Sequence, residues 1–246
     1  MRVEANSLSF RRPSLQMENV SLSLDHGSIL AIMGKNGSGK TTLLKILHGD
    51  LKPLNGEVLI NGKNLSEYSS RDISRAVSFV HQEIYDPISF TVRDVMEVSG
   101  YSRNASKAEM DSALRTFRIG HLVDKDFSKL SGGERRLVTL AGALYQGSQI
   151  MLLDEPTNFL DIDNELLVLN VLKKLRNSGV SVIIVTHNLH AVSRIADYTL
   201  LLRNGRIISQ GRTSDVLVPR FLNQTFGVDF QVHDTADGPV FSAIRY

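Results

Sequence analysis

The strongest constraint on this chain is an apolar strand that runs into a glycine-rich loop and then a helix. Ser28-Ile29-Leu30-Ala31-Ile32-Met33 reads as a strand covered on both faces, as in a parallel sheet. It ends at Gly34-Lys35-Asn36-Gly37-Ser38-Gly39-Lys40-Thr41, which satisfies G-x-x-x-x-G-K-[ST] in full. Thr41 to Leu47 then reads as a helix. Gly34, Gly37 and Gly39 let the backbone turn tightly and aim several N–H groups inward. The helix N-terminus adds roughly half a positive charge. With Asn36, Ser38 and Thr42 this forms a cradle for the phosphates of a nucleotide. Lys40 would reach the β- and γ-phosphates, and the Thr41 hydroxyl would bind Mg²⁺. A ligand-free glycine turn with a surface lysine would show the same residues, but the strand–loop–helix context weighs against it.

A second strand, Ile150-Met151-Leu152-Leu153, ends in Asp154-Glu155, and Pro156 prevents it from continuing. In an open α/β sheet, ligands sit at the carboxyl ends of strands. Asp154 is therefore expected in the Mg²⁺ shell and Glu155 is the candidate for polarising an attacking water.

The rest of the chain fits α/β. Leu8-Ser9-Phe10 and Val20 to Leu24 alternate as half-buried antiparallel strands; Gly56 to Ile60, Ala76 to Val80 and Val180 to Val185 are further strands. From about Phe90 to Gln146 the pattern is helical, with Ser106 and Glu109 at capping-box spacing. Asn204-Gly205 centres a hairpin. The expected division is a phosphate-loop core with an antiparallel β part over 1–86 and 147–228, a helical insert over 87–146, and a tail over 229–246 in which no firm period is visible.

Composition excludes other classes. At 42% hydrophobic and 22% charged residues the chain is neither disordered nor fibrous. It holds no Cys, hence no disulfide or thiolate site. Lys+Arg of 28 against Asp+Glu of 26 leaves +2, no electrostatic footprint for nucleic acid. No stretch approaches the roughly 18 apolar residues that span a bilayer, and the N-terminus lacks the apolar region of a secretory signal. Work at a membrane would then require docking on a partner.

Leu130-Ser131-Gly132-Gly133-Glu134 opens a helix with a hydroxyl, backbone N–H groups and a dipole, a second anion site. A capped helix with no ligand is the plainer reading. The motif resembles the signature of ABC-family ATPases, and together with the phosphate loop and Leu152-Leu153-Asp154-Glu155-Pro156 the resemblance extends from about Leu8 to Val228.

The resemblance implies a P-loop ATPase fold with a mainly parallel sheet, an antiparallel β part and an inserted helical subdomain, using ATP and Mg²⁺. It implies that Phe10 stacks on adenine, that Gln82 reaches Mg²⁺ and the lytic water, that Asp161 links two sites of a dimer, and that His187 contacts the γ-phosphate. It implies that Ser131, Gly132 and Gly133 clamp the nucleotide of a second, head-to-tail copy. It also implies a docking cleft near Glu83 to Val92 for a separate membrane permease, at the cytoplasmic face of the membrane.

Within the family, Ala191 to Asp197, Leu202 to Arg206, Gly211, Val216 and Phe226-Gly227-Val228 look like the ATPase subunits of iron–siderophore, haem and cobalamin importers, which work with an extracytoplasmic substrate-binding protein. The alternatives are an ATPase of another transporter class or a non-transport member in assembly or nucleic-acid work. Against the last, no sustained heptads separate the motifs and each motif occurs once.

Overall fold

A computed structural model describes residues 1–13, 15–82, 90–235 and 238–244. Strands β1 (Val3–Arg12) and β2 (Leu15–Leu24) pair antiparallel, and β1 pairs on its other side with β4 (Asn55–Ile60), which carries the short β5 (Lys63–Asn64). The apolar run becomes β3 (Ile29–Met33), buried at every position. It lies in a second sheet with β6 (Val77–Val80), β7 (Ile150–Asp154), β8 (Ser181–Val185), β9 (Tyr198–Arg203) and β10 (Arg206–Arg212), in the order β10-β9-β3-β8-β7-β6. All its pairings are parallel except the β9–β10 hairpin.

Side chains alternate across this sheet, so successive residues join opposite cores. Leu30 and Ile32 of β3 pack with Leu43, Leu44 and Leu47 of helix α1 (Lys40–His48) and with the antiparallel sheet. Ile29, Ala31 and Met33 face the other cluster, which holds Met96, Met110, Leu137 and Val168. Helix α2 (Ser70–Ala76) leads into β6.

The helical stretch consists of α3 (Val92–Gly100), α4 (Lys107–Thr116) and α5 (Gly132–Gln146). Each opens with a reciprocal capping box, Thr91 with Asp94, Ser106 with Glu109 and Ser131 with Glu134. Such caps contribute about 1 kcal/mol apiece, so these starts are set locally by sequence. The stretch has no core separate from the sheet: its buried residues join the same cluster as β3, β7 and β8. Gly100 and Gly142 allow α3 and α5 to approach, since a Cβ at Gly100 would lie 2.2 Å from the Tyr145 ring.

The chain returns through α6 (Ile162–Asn177), α7 (Leu189–Ile195), α8 (Thr213–Val216) and α9 (Pro219–Phe226), the last with Pro at its first position. The tail differs from the sequence reading. It forms a hairpin of β11 (Asp229–Thr235) and β12 (Gly238–Ile244), held by a contact between Phe226 and Phe230 and an edge-on contact between His190 and Phe241. Its side chains are only partly covered, so no clean alternation marks it.

Candidate nucleotide and metal site

The phosphate loop leaves the carboxyl end of β3, between β8 and β9. Gly34 is obligatory, because a Cβ there would lie 2.0 Å from the Leu202 carbonyl. Gly39 stands before α1 at φ 106° and no side chain caps the helix. The first-turn N–H groups are therefore left for an anion, unlike those of the three capped helices. Lys40 is buried, and its Nζ donates to the carbonyls of Gly34 at 2.8 Å and Lys35 at 3.0 Å. Burial lowers its pKa, and Glu155 and Asp154 pull the other way.

Facing the loop across a cavity of about 410 Å³ are Asp154, Glu155 and Gln82. Asp154 ends β7, is 1% exposed, and neither of its oxygens has a hydrogen-bond partner. Burial raises its pKa; the neighbouring Thr41 hydroxyl, Lys40 and Arg136 act against that. A buried carboxylate without partners normally signals a missing ion or water, and hard oxygen donors suit Mg²⁺. Among the described residues no cluster of three or more His, Cys, Asp or Glu could hold a metal alone. The oxygen donors of Thr41, Asp154 and Gln82 at this cavity are of the kind that would suit Mg²⁺.

Glu155 adopts φ 49°, in the left-handed region that non-glycine residues rarely occupy. Its N–H still donates to the Val185 carbonyl at 2.9 Å, so the turn begins while β7 is paired. The twist brings its carboxylate to the cavity and to His187, whose Nδ1 is 3.1 Å from both oxygens. His187 itself is exposed and does not line the cavity.

Asn36, Gly37, Gly39, Lys40, Thr41 and Thr42 line the cavity, opposite Gln82, Asp154 and Glu155. Ser38 lies beneath the loop with its hydroxyl buried and unpartnered. Phe10 is not where the resemblance puts it. The β1 alternation turns Leu8 and Phe10 to one face, where Phe10 joins the core at 8% exposure, while Arg11 and Arg12 at the strand end are exposed. Arg12 and Leu15 reach the cavity instead, and the Arg12 guanidinium stands 5.3 Å from the Phe10 ring centre.

Ser131, Gly132, Gly133 and Asp161 lie outside the cavity. The Ser131 hydroxyl donates to Glu134 at 2.8 Å and accepts from its N–H at 3.2 Å. Gly133 passes close to Phe159, where a Cβ would meet the Phe159 carbonyl at 3.0 Å. Asp161 caps α6 by accepting from the Asn164 N–H at 2.9 Å. Of the expected docking cleft, residues 83–89 lie outside the described residues; Phe90 is exposed and Val92 is buried. Sequence reading missed Arg12, Leu15 and Arg136. Arg136 is wholly buried on the stripe of Leu140 and Ala143, where a charge four and seven residues from apolar positions is a readable anomaly.

The family model for ABC transporters matches residues 17–158, more than half of the chain. The chain belongs to the ABC transporter family. Within it, this ABC protein is 33% identical over 227 residues to a hemin import ATP-binding protein of Hahella chejuensis, covering 88% of each chain. It is 30% identical over 226 residues to a ferric enterobactin transport ATP-binding protein of Escherichia coli, covering 88% of this chain and 83% of that one. A solved metal-chelate type ABC transporter in an inward-facing conformation superposes with a TM-score of 0.84 at 27% identity, over 99% of this chain and 97% of that one. This ABC protein is an ATPase of the α/β fold expected from its sequence, with an antiparallel N-terminal sheet, a mainly parallel second sheet and an inserted run of helices.

Proposed function

We propose that this ATPase energises uptake of a metal chelate, of the haem or ferric-siderophore class, through a separate permease. The observation that carries the hydrolytic part is the Glu155 carboxylate, turned by a left-handed backbone to the cavity and tethered to His187. The cargo class is supported by the names of the relatives and by the metal-chelate transporter among solved structures.

Triphosphate oxygens would replace the Gly34 and Lys35 carbonyls as acceptors for Lys40, while the uncapped start of α1 binds the anion with its N–H groups. Thr41, Asp154 and Gln82 would hold Mg²⁺, which would neutralise charge on the triphosphate. Glu155 accepts the proton of the attacking water, and His187 holds its carboxylate in place. Ser131 with Gly132 and Gly133 would close on the γ-phosphate of a second, head-to-tail copy, near that copy's Asp161. Closure then follows from tighter binding of ATP by the pair than by the single chain. Among the described residues no helix is long and apolar enough to cross a membrane, which suits a peripheral subunit at the cytoplasmic face, fed indirectly by an extracytoplasmic binding protein.

The test is reconstitution with a metal-chelate permease in vesicles. ATP turnover should rise when binding protein loaded with haem or a ferric siderophore is added. Turnover indifferent to the permease and to every loaded binding protein would refute the transport reading.

A further inference from the structure

Arg136 is the largest of the fully buried side chains and stands just past the first turn of α5, the helix that Ser131 opens. Its Nη1 donates to the His81 carbonyl at 2.8 Å and its Nη2 to the Gln82 carbonyl at 2.6 Å. Its Nε has no partner. Burial lowers its pKa, and attraction to Asp154 and Glu155 opposes the loss of charge.

A buried guanidinium is a poor device for stability alone, since an apolar side chain of similar volume often serves as well. What a planar fork provides is position: two parallel donors fix two adjacent carbonyls at once. Those carbonyls belong to His81 and Gln82, the two residues that follow β6 and bring the chain to the cavity. The donor belongs to the helix whose first turn carries Ser131, Gly132 and Gly133. One side chain thus joins two regions assigned different tasks.

We propose that Arg136 is a positioning residue that couples the Ser131 helix to Gln82, so that movement of the helix displaces Gln82 relative to the bound triphosphate. The role is specific to turnover: Arg136 does not line the cavity and touches no expected ligand position. The coupling rests on the reading of this cavity as the hydrolytic site.

The experiment compares the full-length chain with Arg136→Met, Arg136→Lys, Gln82→Ala and the Arg136→Met/Gln82→Ala double variant, measuring kcat, KM and the ATP dissociation constant. Arg136→Met should lower kcat by between roughly tenfold and a hundredfold, the effect of a small misplacement at a reacting centre, with ATP affinity held within about threefold. Arg136→Lys, with the charge and one donor kept, should recover part of that loss. Added to Gln82→Ala, Arg136→Met should lower kcat little further, because both act through one group.

Equal losses in the two backgrounds, or folded Arg136→Met and Arg136→Lys proteins with wild-type kcat, would overturn the proposal. So would failure of both Arg136 variants to fold, which would make the residue structural. If Arg136→Met does not fold, reduced kcat at unchanged affinity in Arg136→Lys supports the proposal, and wild-type kcat there defeats it. Glu155→Gln is run in parallel. If it keeps full turnover, the hydrolytic reading fails; if it loses turnover and the Arg136 variants do not, only the coupling fails.

Discussion

His187 Nδ1 lies 3.1 Å from both carboxylate oxygens of Glu155, bridging the end of β8 to the left-handed turn that ends β7. The contact restrains an acid whose backbone is already in an unfavourable region. On the proposed reading, the histidine holds the base in place. His187→Ala should lower kcat by roughly 10²-fold or more, the usual size of a general-base contribution, and leave ATP affinity within about threefold. Steady-state turnover and equilibrium nucleotide binding check this; a parallel loss in both would assign His187 to binding instead.

Lys40 donates to two carbonyls of its own loop. Lys40→Ala should weaken ATP binding by about 2 kcal/mol or more, the scale of charge-assisted hydrogen bonds to phosphate. Calorimetric titration with ATP checks this, and an unchanged dissociation constant would remove the loop from the binding site.

Arg12 lines the cavity and Phe10 does not. Arg12→Ala should therefore weaken ATP binding more than Phe10→Leu does. Phe10→Leu should instead lower stability by roughly 1–3 kcal/mol, because it removes three buried carbons. Inorganic tripolyphosphate separates base from phosphate contacts: its binding should respond less to Arg12→Ala than ATP binding does.

Asp154 binds its proton more tightly in the folded chain than in the unfolded one, because burial raises its pKa above 3.8. For such an acid, stability falls as pH rises through the window between 3.8 and the raised folded value. Without metal or nucleotide, Asp154→Asn should then raise stability at neutral pH by about 1 kcal/mol, with Lys40 and Arg136 each losing an attractive neighbour. The gain should vanish as pH falls below 3.8, where both states are protonated. Thermal melts at neutral and acid pH test the sign, and the same variant should lose Mg²⁺-dependent turnover.

How far the sequence reached depends on the range of each contact. The loop at Gly34 to Thr41, the acidic end of β7 and the caps at Ser106 and Ser131 are local patterns, and they stand in the structure at the residues read. The alternation of Leu8-Ser9-Phe10 already put Phe10 on the buried face; that Arg12 and Leu15 reach the cavity was not legible, because it depends on how the ends of β1 and β2 pack beside the loop. Arg136 needed the fold as well, since its partners lie 55 and 54 positions away. The tail hairpin escaped because strands covered on one side by α7 and α9 bury too little to show a period of two.

On the proposed function, two copies close on nucleotide and hydrolysis parts them. Sedimentation of the Glu155→Gln protein with saturating ATP should then show twice the single-chain mass, falling to the single-chain mass with ADP. Adding Ser131→Arg in the same background should abolish pairing while ATP still binds. A Glu155→Gln protein that binds ATP yet stays single at every concentration would contradict that closure.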